Sequence, residues 1–348
     1  MRKYNNILTI IISAVIASAC ERYIRLDFWE NPEVIANGYI STADSVHTVT
    51  IIKSDSALKK FATVNSARLQ CFVNGSLAGE TDSLSLFGTY YYDTEIRKME
   101  FKAEIKPGDD VRIAIEADGL NAEIRETVPA RLPILSVDTL TVLSRDSNNS
   151  QVEKTEHRIT IKDIPGENNF YRLTMEYDSK AVVEEILVDD PYGYLPEVGT
   201  TEQGHETIKF DNSQEPVLNK RIDTGDSDHN YYNNSYNIFT DAMFRGSTYS
   251  LTVLTPPYWK LPSPIFIHYP GEVSYRISRK VTVRLFSMTR DAYTYLDGLQ
   301  FNDSNLSDTY LIEGISFPHN VIGGRGFITI MAASDYVLEF PDTVIDSY

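Results

Sequence analysis

Cys20 follows the small residues Ala17, Ser18 and Ala19, which in turn follow an apolar run beginning at Ile7 and the basic pair Arg2 and Lys3. This is the order in which a signal peptide is cut and the new amino-terminal cysteine is linked to a diacylglycerol, so residues 1–19 read as a lipoprotein signal and Cys20 as the lipidated residue. The apolar run is shorter than the roughly 20 residues that a membrane-spanning helix needs. Residues 20–31 then form a lipidated tether, and anchoring by more than one acyl chain is stable where one chain is marginal.

Other residue types with chemical potential do not fall into working constellations. Asp223-Thr224-Gly225 matches the aspartic protease tripeptide, but that chemistry needs two carboxylates sharing a proton, and the chain has no second such tripeptide. Asp226, Asp228 and His229 lack the alternating spacing of a calcium loop. The six histidines are scattered without a His-Glu-x-x-His pair, so no zinc site is expected, and no Gly-x-Ser-x-Gly elbow offers a serine nucleophile. Gly323-Gly324-Arg325-Gly326 precedes a strand-like run and not a helix, which suits a bend better than a phosphate cradle. Cys71 alternates inward with Leu69 and Val73 as a small core residue, and a buried thiol with no basic neighbour stays protonated. The expectation is no enzyme, no cofactor and no metal.

Tyrosine is the remaining signal, with 22 in the chain. Tyr231, Tyr232, Tyr236, Tyr258 and Trp259 lie in turn-rich sequence, where amphipathic rings give contact area at low entropic cost. They are the candidate ligand or partner contacts. Tyr192 and Tyr194 occupy similar sequence. The net charge of −17 and the absence of Lys/Arg clusters exclude nucleic acid as a partner.

The elements that must hold these residues are strands. Between residues 67 and 117 apolar and polar residues alternate with period two, and turn signals at Asn74-Gly75 and at Pro107-Gly108-Asp109 separate the runs. The 99–105 and 111–117 runs read as a hairpin about the second of these. About seven strands make residues 32–130 an immunoglobulin-like or transthyretin-like sandwich able to fold alone. Residues 129–133, with two prolines, read as a stiff linker. Residues 131–348 read as a second antiparallel β domain with a Tyr-rich insert over 189–245. One packed helix carries Ala292, Tyr295, Leu296 and Leu299 on one face and Thr289 as N-cap. The fold class is mainly β.

In order and spacing these pieces resemble a known family. Cys20-Glu21, "VIANGYIS" from Val34, "PGDDVRIAIEADG" from Pro107, "TVPARLP" from Thr127, "VTVRLFSMTRDAYTYL" from Val281 and "NVIGGRGF" from Asn320 are similar to Bacteroidota lipoproteins called domain of unknown function 4249 (DUF4249). The resemblance implies an outer-membrane lipoprotein, often encoded near TonB-dependent receptors, and carries over no catalytic residue. Expected partners are the membrane, through the lipid, a TonB-dependent outer-membrane receptor, and a peptide or glycan ligand. The expected location is the outer membrane, with the cell surface favoured over the periplasmic face. The leading reading is a non-enzymatic binding or accessory component of TonB-dependent nutrient uptake. The alternatives are a surface hydrolase of a peptide or glycan polymer and a structural envelope lipoprotein.

Overall fold

The computed structural model describes residues 31–55, 60–90, 94–145, 150–166, 168–219, 234–257, 273–303 and 318–346. The signal segment and Cys20 lie outside the described residues. The protein is mainly β, with several antiparallel sheets and a single described α-helix.

Two sandwiches share one long sheet. Strands β1 (Val34–Ser41), β2 (Val46–Asp55), β3 (Lys60–Ala62), β6 (Ser85–Tyr90) and β7 (Thr94–Lys102) form one end of it. Against this end packs a four-stranded antiparallel sheet in the order β5 (Ser76–Thr81), β4 (Ala67–Val73), β8 (Asp110–Ala117), β9 (Leu120–Thr127). Alternation supplies the core between them: Val49, Ile51, Met99 and Phe101 meet Leu69, Cys71, Ile113, Ile115 and Ile124. Asn74 and Gly75, both at positive φ, make the expected two-residue turn of the β4–β5 hairpin.

The hairpin read at Pro107-Gly108-Asp109 is not one. β7 pairs with β2 and β6, whereas β8 pairs with β4 and β9 in the facing sheet. The ladder ends at Lys102, and Ala103 and Ile105 are buried in the core as the chain crosses from one sheet to the other. Both arrangements satisfy the same alternation, because two strands that face each other across a core bury the same residues as two that lie side by side.

The second sandwich places the three-stranded sheet β10 (Ile134–Arg145), β11 (Gln151–Lys162), β15 (Thr248–Thr255) over the other end of the long sheet. That end contains β12 (Phe170–Ile186), β13 (Thr201–Thr207), β14 (Ile238–Thr240), β16 (Val273–Met288) and β18 (Ile328–Asp346). Ile159, Ile161, Leu251 and Val253 pack there on Tyr171, Leu173, Val283 and Leu285. The expected linker is anchored too, since Leu132 is buried in this core and its N–H donates to Ser287 Oγ at 3.2 Å.

β18 unites the halves. Its first residues, Ile328 to Met331, run parallel to Gly38 to Ser41 of β1, and from Ala332 onward it pairs antiparallel with β16. The core of the first sandwich is therefore not drawn from residues 32–130 alone: Val321, Ile328, Ile330 and Ala332 belong to it. Just upstream, β17 (Gly324–Arg325) pairs with β1, and Gly326 holds φ near +103° with its Cα so close to β1 that an added Cβ would lie 2.1 Å from the Ala36 carbonyl oxygen. The glycine run is a bend forced by backbone contact.

The helix α1 (Arg290–Asp303) begins as its sequence predicts, with Thr289 Oγ1 accepting from the Ala292 N–H at 3.3 Å. Ala292 and Leu296 are buried against Phe286, Met288, Phe327, Met331 and Ala333, on the face of the long sheet opposite the second core.

Candidate functional site

On that helix-covered face one group departs from ordinary packing. Tyr171 and Leu173 point into the second core, so Arg172 between them projects to the helix side; Ile40 points into the first core, so Tyr39 projects to the same side. Adjacency of β12, β16, β18 and β1 puts both side chains on one continuous surface. Tyr236 brings its ring centroid to 5.8 Å from the Arg172 guanidinium carbon, within reach of a cation–π interaction. Tyr295 of α1 stacks on Phe327 at 4.4 Å with the rings 8° from parallel, and burial first, then the Tyr295 and Tyr236 hydroxyls, push the Tyr39 pKa above its ordinary value.

Burial pulls the Arg172 pKa below its ordinary value, and the groups that offset this are the Tyr39 and Tyr236 hydroxyls, with no described carboxylate among them. Its buried Nε has no hydrogen-bond partner among the described residues. Arg284 gives the contrast on the same face. It stands opposite Thr174, two residues along β12, yet it donates to both Asp335 oxygens at 2.7 and 2.8 Å and lies 3.3 Å from Glu176. One guanidinium is neutralised by a bidentate carboxylate. The other has rings around it and no described anion.

Tyr236 is the sequence-predicted contact residue that falls within the described structure. It is half-buried against the helix cluster, and its N–H donates to Gln300 Oε1 at 3.4 Å. Tyr231, Tyr232, Tyr258 and Trp259 lie outside the described residues, as do Asp223, Asp226, Asp228 and His229. Tyr192 and Tyr194 are 78 and 76% exposed, with their rings 5.8 Å apart on a turn whose N–H groups at Tyr194 and Leu195 donate to Asp190. Described residues of the insert that carries them are tied to the second sandwich: buried Glu215 accepts from the Tyr249 hydroxyl at 2.7 Å and the Thr252 N–H at 2.6 Å, and buried Asn234 bonds Leu218 and Ile238. Tyr39 and Arg172 were not singled out in the sequence, and Tyr295 was read only as part of the packed helix face. Alternation gives Tyr39 and Arg172 a face, but nothing local says that β1 and β12 lie in one sheet with two strands between them.

A concavity of about 540 Å³ on the long sheet contains His205, whose Nδ1 is 2.8 Å from Asp178 Oδ1. A histidine held by a carboxylate activates a nucleophile only when a hydroxyl or thiol bonds its other nitrogen. Among the described residues none does. Asp178 also lies 3.4 Å from Lys280, and Glu339 stands opposite Lys280 on the next strand, so these charges form a solvated cross-strand row. Among the described residues no three His, Cys, Asp or Glu side chains come together as a metal site. Cys71 is buried, and burial pushes its thiol pKa up to about 11. No described helix is long and apolar enough to cross a membrane.

Residues 23–336 match the family model described as "Domain of unknown function (DUF4249)". No curated protein matches the chain. Among solved structures, the "Biofilm associated protein - B domain" aligns at 6% identity over 88% of this chain and 85% of that one, with a TM-score of 0.14, which establishes no common fold.

Proposed function

The chain belongs to the DUF4249 family, and from that premise we propose that it is a lipid-anchored, non-enzymatic binding protein of the outer membrane, an accessory to TonB-dependent nutrient uptake, attached through Cys20. The observation that carries the binding reading is the arginine and tyrosine group on the helix-covered face. Tyr39 is 43% exposed there, beside a guanidinium with no described counter-ion. Aromatic and arginine side chains clustered near the centre of an interface are the types that dominate binding energy. The alternatives, a hydrolase or a purely structural envelope protein, have weaker support, because the Asp178 and His205 pair has no nucleophile bonded to it among the described residues.

The test is capture from solubilised membranes with the full lipidated chain. A TonB-dependent receptor should co-purify, and Tyr39→Ala should reduce its recovery about tenfold while leaving the melting temperature within a degree or two, as expected for truncation of a hot-spot surface residue. Hydrolysis of a peptide or glycan by the purified protein, lost on changing one carboxylate, would overturn this reading.

A further inference from the structure

We propose that Arg172 is the receptor for a single carboxylate on a ligand with an apolar or aromatic body, the tyrosines packing the body and the guanidinium holding the charge. This rests on the binding role assigned above to the same surface and names the ligand chemistry.

The argument starts from an electrostatic imbalance. A charge taken out of water is normally compensated by an opposite charge or by hydrogen bonds, and a buried donor left unsatisfied carries the full cost of its lost hydration. The other cations named on this face have described anionic partners. Arg284 meets Asp335 and Glu176. Lys280 meets Asp178 at 3.4 Å. Arg172 alone among these has a buried Nε with no described partner. In a chain with 49 acidic against 32 basic residues, a carboxylate neighbour is the easy solution, and at this position the described structure does not use it.

The shape of the donor narrows the chemistry. A guanidinium is a planar fork that matches the two oxygens of a carboxylate. The net charge of −17 repels polyanions at long range, so an isolated carboxylate fits and a nucleic acid or polyphosphate does not. Tyr236 beside the guanidinium, Tyr295 stacked on Phe327, and half-exposed Tyr39 offer aromatic walls to the carbon body. Binding would restore to Arg172 the partner that Arg284 already has.

Calorimetric titration of the purified full chain with N-acetylphenylalanine and with N-acetylphenylalaninamide tests this. The acid should bind, and the amide, identical in body but without the charge, should bind at least about tenfold more weakly. Arg172→Gln should lose the difference between acid and amide, and Arg172→Lys should keep part of it. The melting temperature of Arg172→Gln should be unchanged or raised, because the change removes a largely desolvated guanidinium whose Nε has no partner among the described residues. Equal binding of acid and amide, or a clear drop in melting temperature on Arg172→Gln, overturns the proposal. So does acid binding that appears only when Asp223, Asp226 and Asp228 are replaced together by Asn, since the anion would then be the chain's own. Receptor capture that survives Arg172→Gln but is lost in Tyr39→Ala would leave the binding surface standing and remove only its carboxylate receptor; capture insensitive to Tyr39→Ala would remove the surface itself.

Discussion

The Glu126 carboxylate accepts a hydrogen bond from the Thr289 hydroxyl at 3.0 Å, joining the end of β9 in the first sandwich to the residue that caps α1. The same carboxylate takes the Thr329 hydroxyl at 3.1 Å and the Ile330 N–H at 2.9 Å, both at the start of β18. One acidic side chain thus ties the first sandwich, the helix and the shared strand together.

Burial pushes the Glu126 pKa up to about 7, against the pull of these three donors. A carboxyl that holds its proton in the folded state while the unfolded chain has released it loses stability as pH rises. The contribution is present below the usual carboxylate range and gone above pH 7. Glu126→Gln should flatten the decline in thermal stability between about pH 4.5 and 7, a difference on the order of 1 to 3 kcal/mol. Parallel pH profiles of wild type and variant in thermal melts would refute this.

His157 works in the opposite direction. It is buried beside Thr255 Oγ1 at 3.0 Å, and burial lowers its pKa to about 4. The unfolded chain takes up a proton near pH 6.5 that the folded state refuses until about pH 4, so stability is present above pH 6.5 and is lost on acidification. Replacing His157 by Gln should lessen the loss of stability between pH 6.5 and 4, and with Glu126→Gln in the background the wild-type His157 should show an unmasked acid slope. Denaturant midpoints across that range measure both.

Residues 32–130 produced alone should melt without cooperativity. The fragment lacks β18 beside β1 and lacks Val321, Ile328 and Ile330 from its core. Burying each such side chain is worth about 1.5 to 3 kcal/mol, so the three together approach the whole stability of a small domain. A sharp two-state transition for the fragment would show that the first sandwich stands without its borrowed strand.

Gly326→Ala should cost more than Gly75→Ala. Both positions hold positive φ, but a Cβ at Gly75 meets nothing within 4 Å, whereas at Gly326 it meets the Ala36 carbonyl at 2.1 Å. The first change carries backbone strain alone, about 1 kcal/mol, and the second adds displacement of β1 from β17. Chemical denaturation of the two variants gives the comparison.

Cys20→Ala should move the protein from the membrane pellet to the soluble fraction, because a surface of net charge −17 has no other attraction for anionic lipid. Retention of the variant in pellets stripped of protein partners would remove the lipid anchor from the account.

What the sequence determined by itself is everything that depends on near neighbours. Period-two alternation placed Cys71, Ile113 and Ile115 inward, Asn74-Gly75 marked a two-residue turn, and Thr289 marked the start of α1. The tertiary structure decided which strands meet. Alternation says which face a residue takes but not which partner its backbone finds, so the runs flanking Pro107-Gly108-Asp109 could not be told from a hairpin. Likewise nothing local joins Ile328 to β1. The proposed binding surface follows the same rule: Tyr39 and Arg172 are ordinary outward residues of separate strands until sheet order sets them on one face, and the Arg172 Nε is recognised as lacking a described partner only once its surroundings exist.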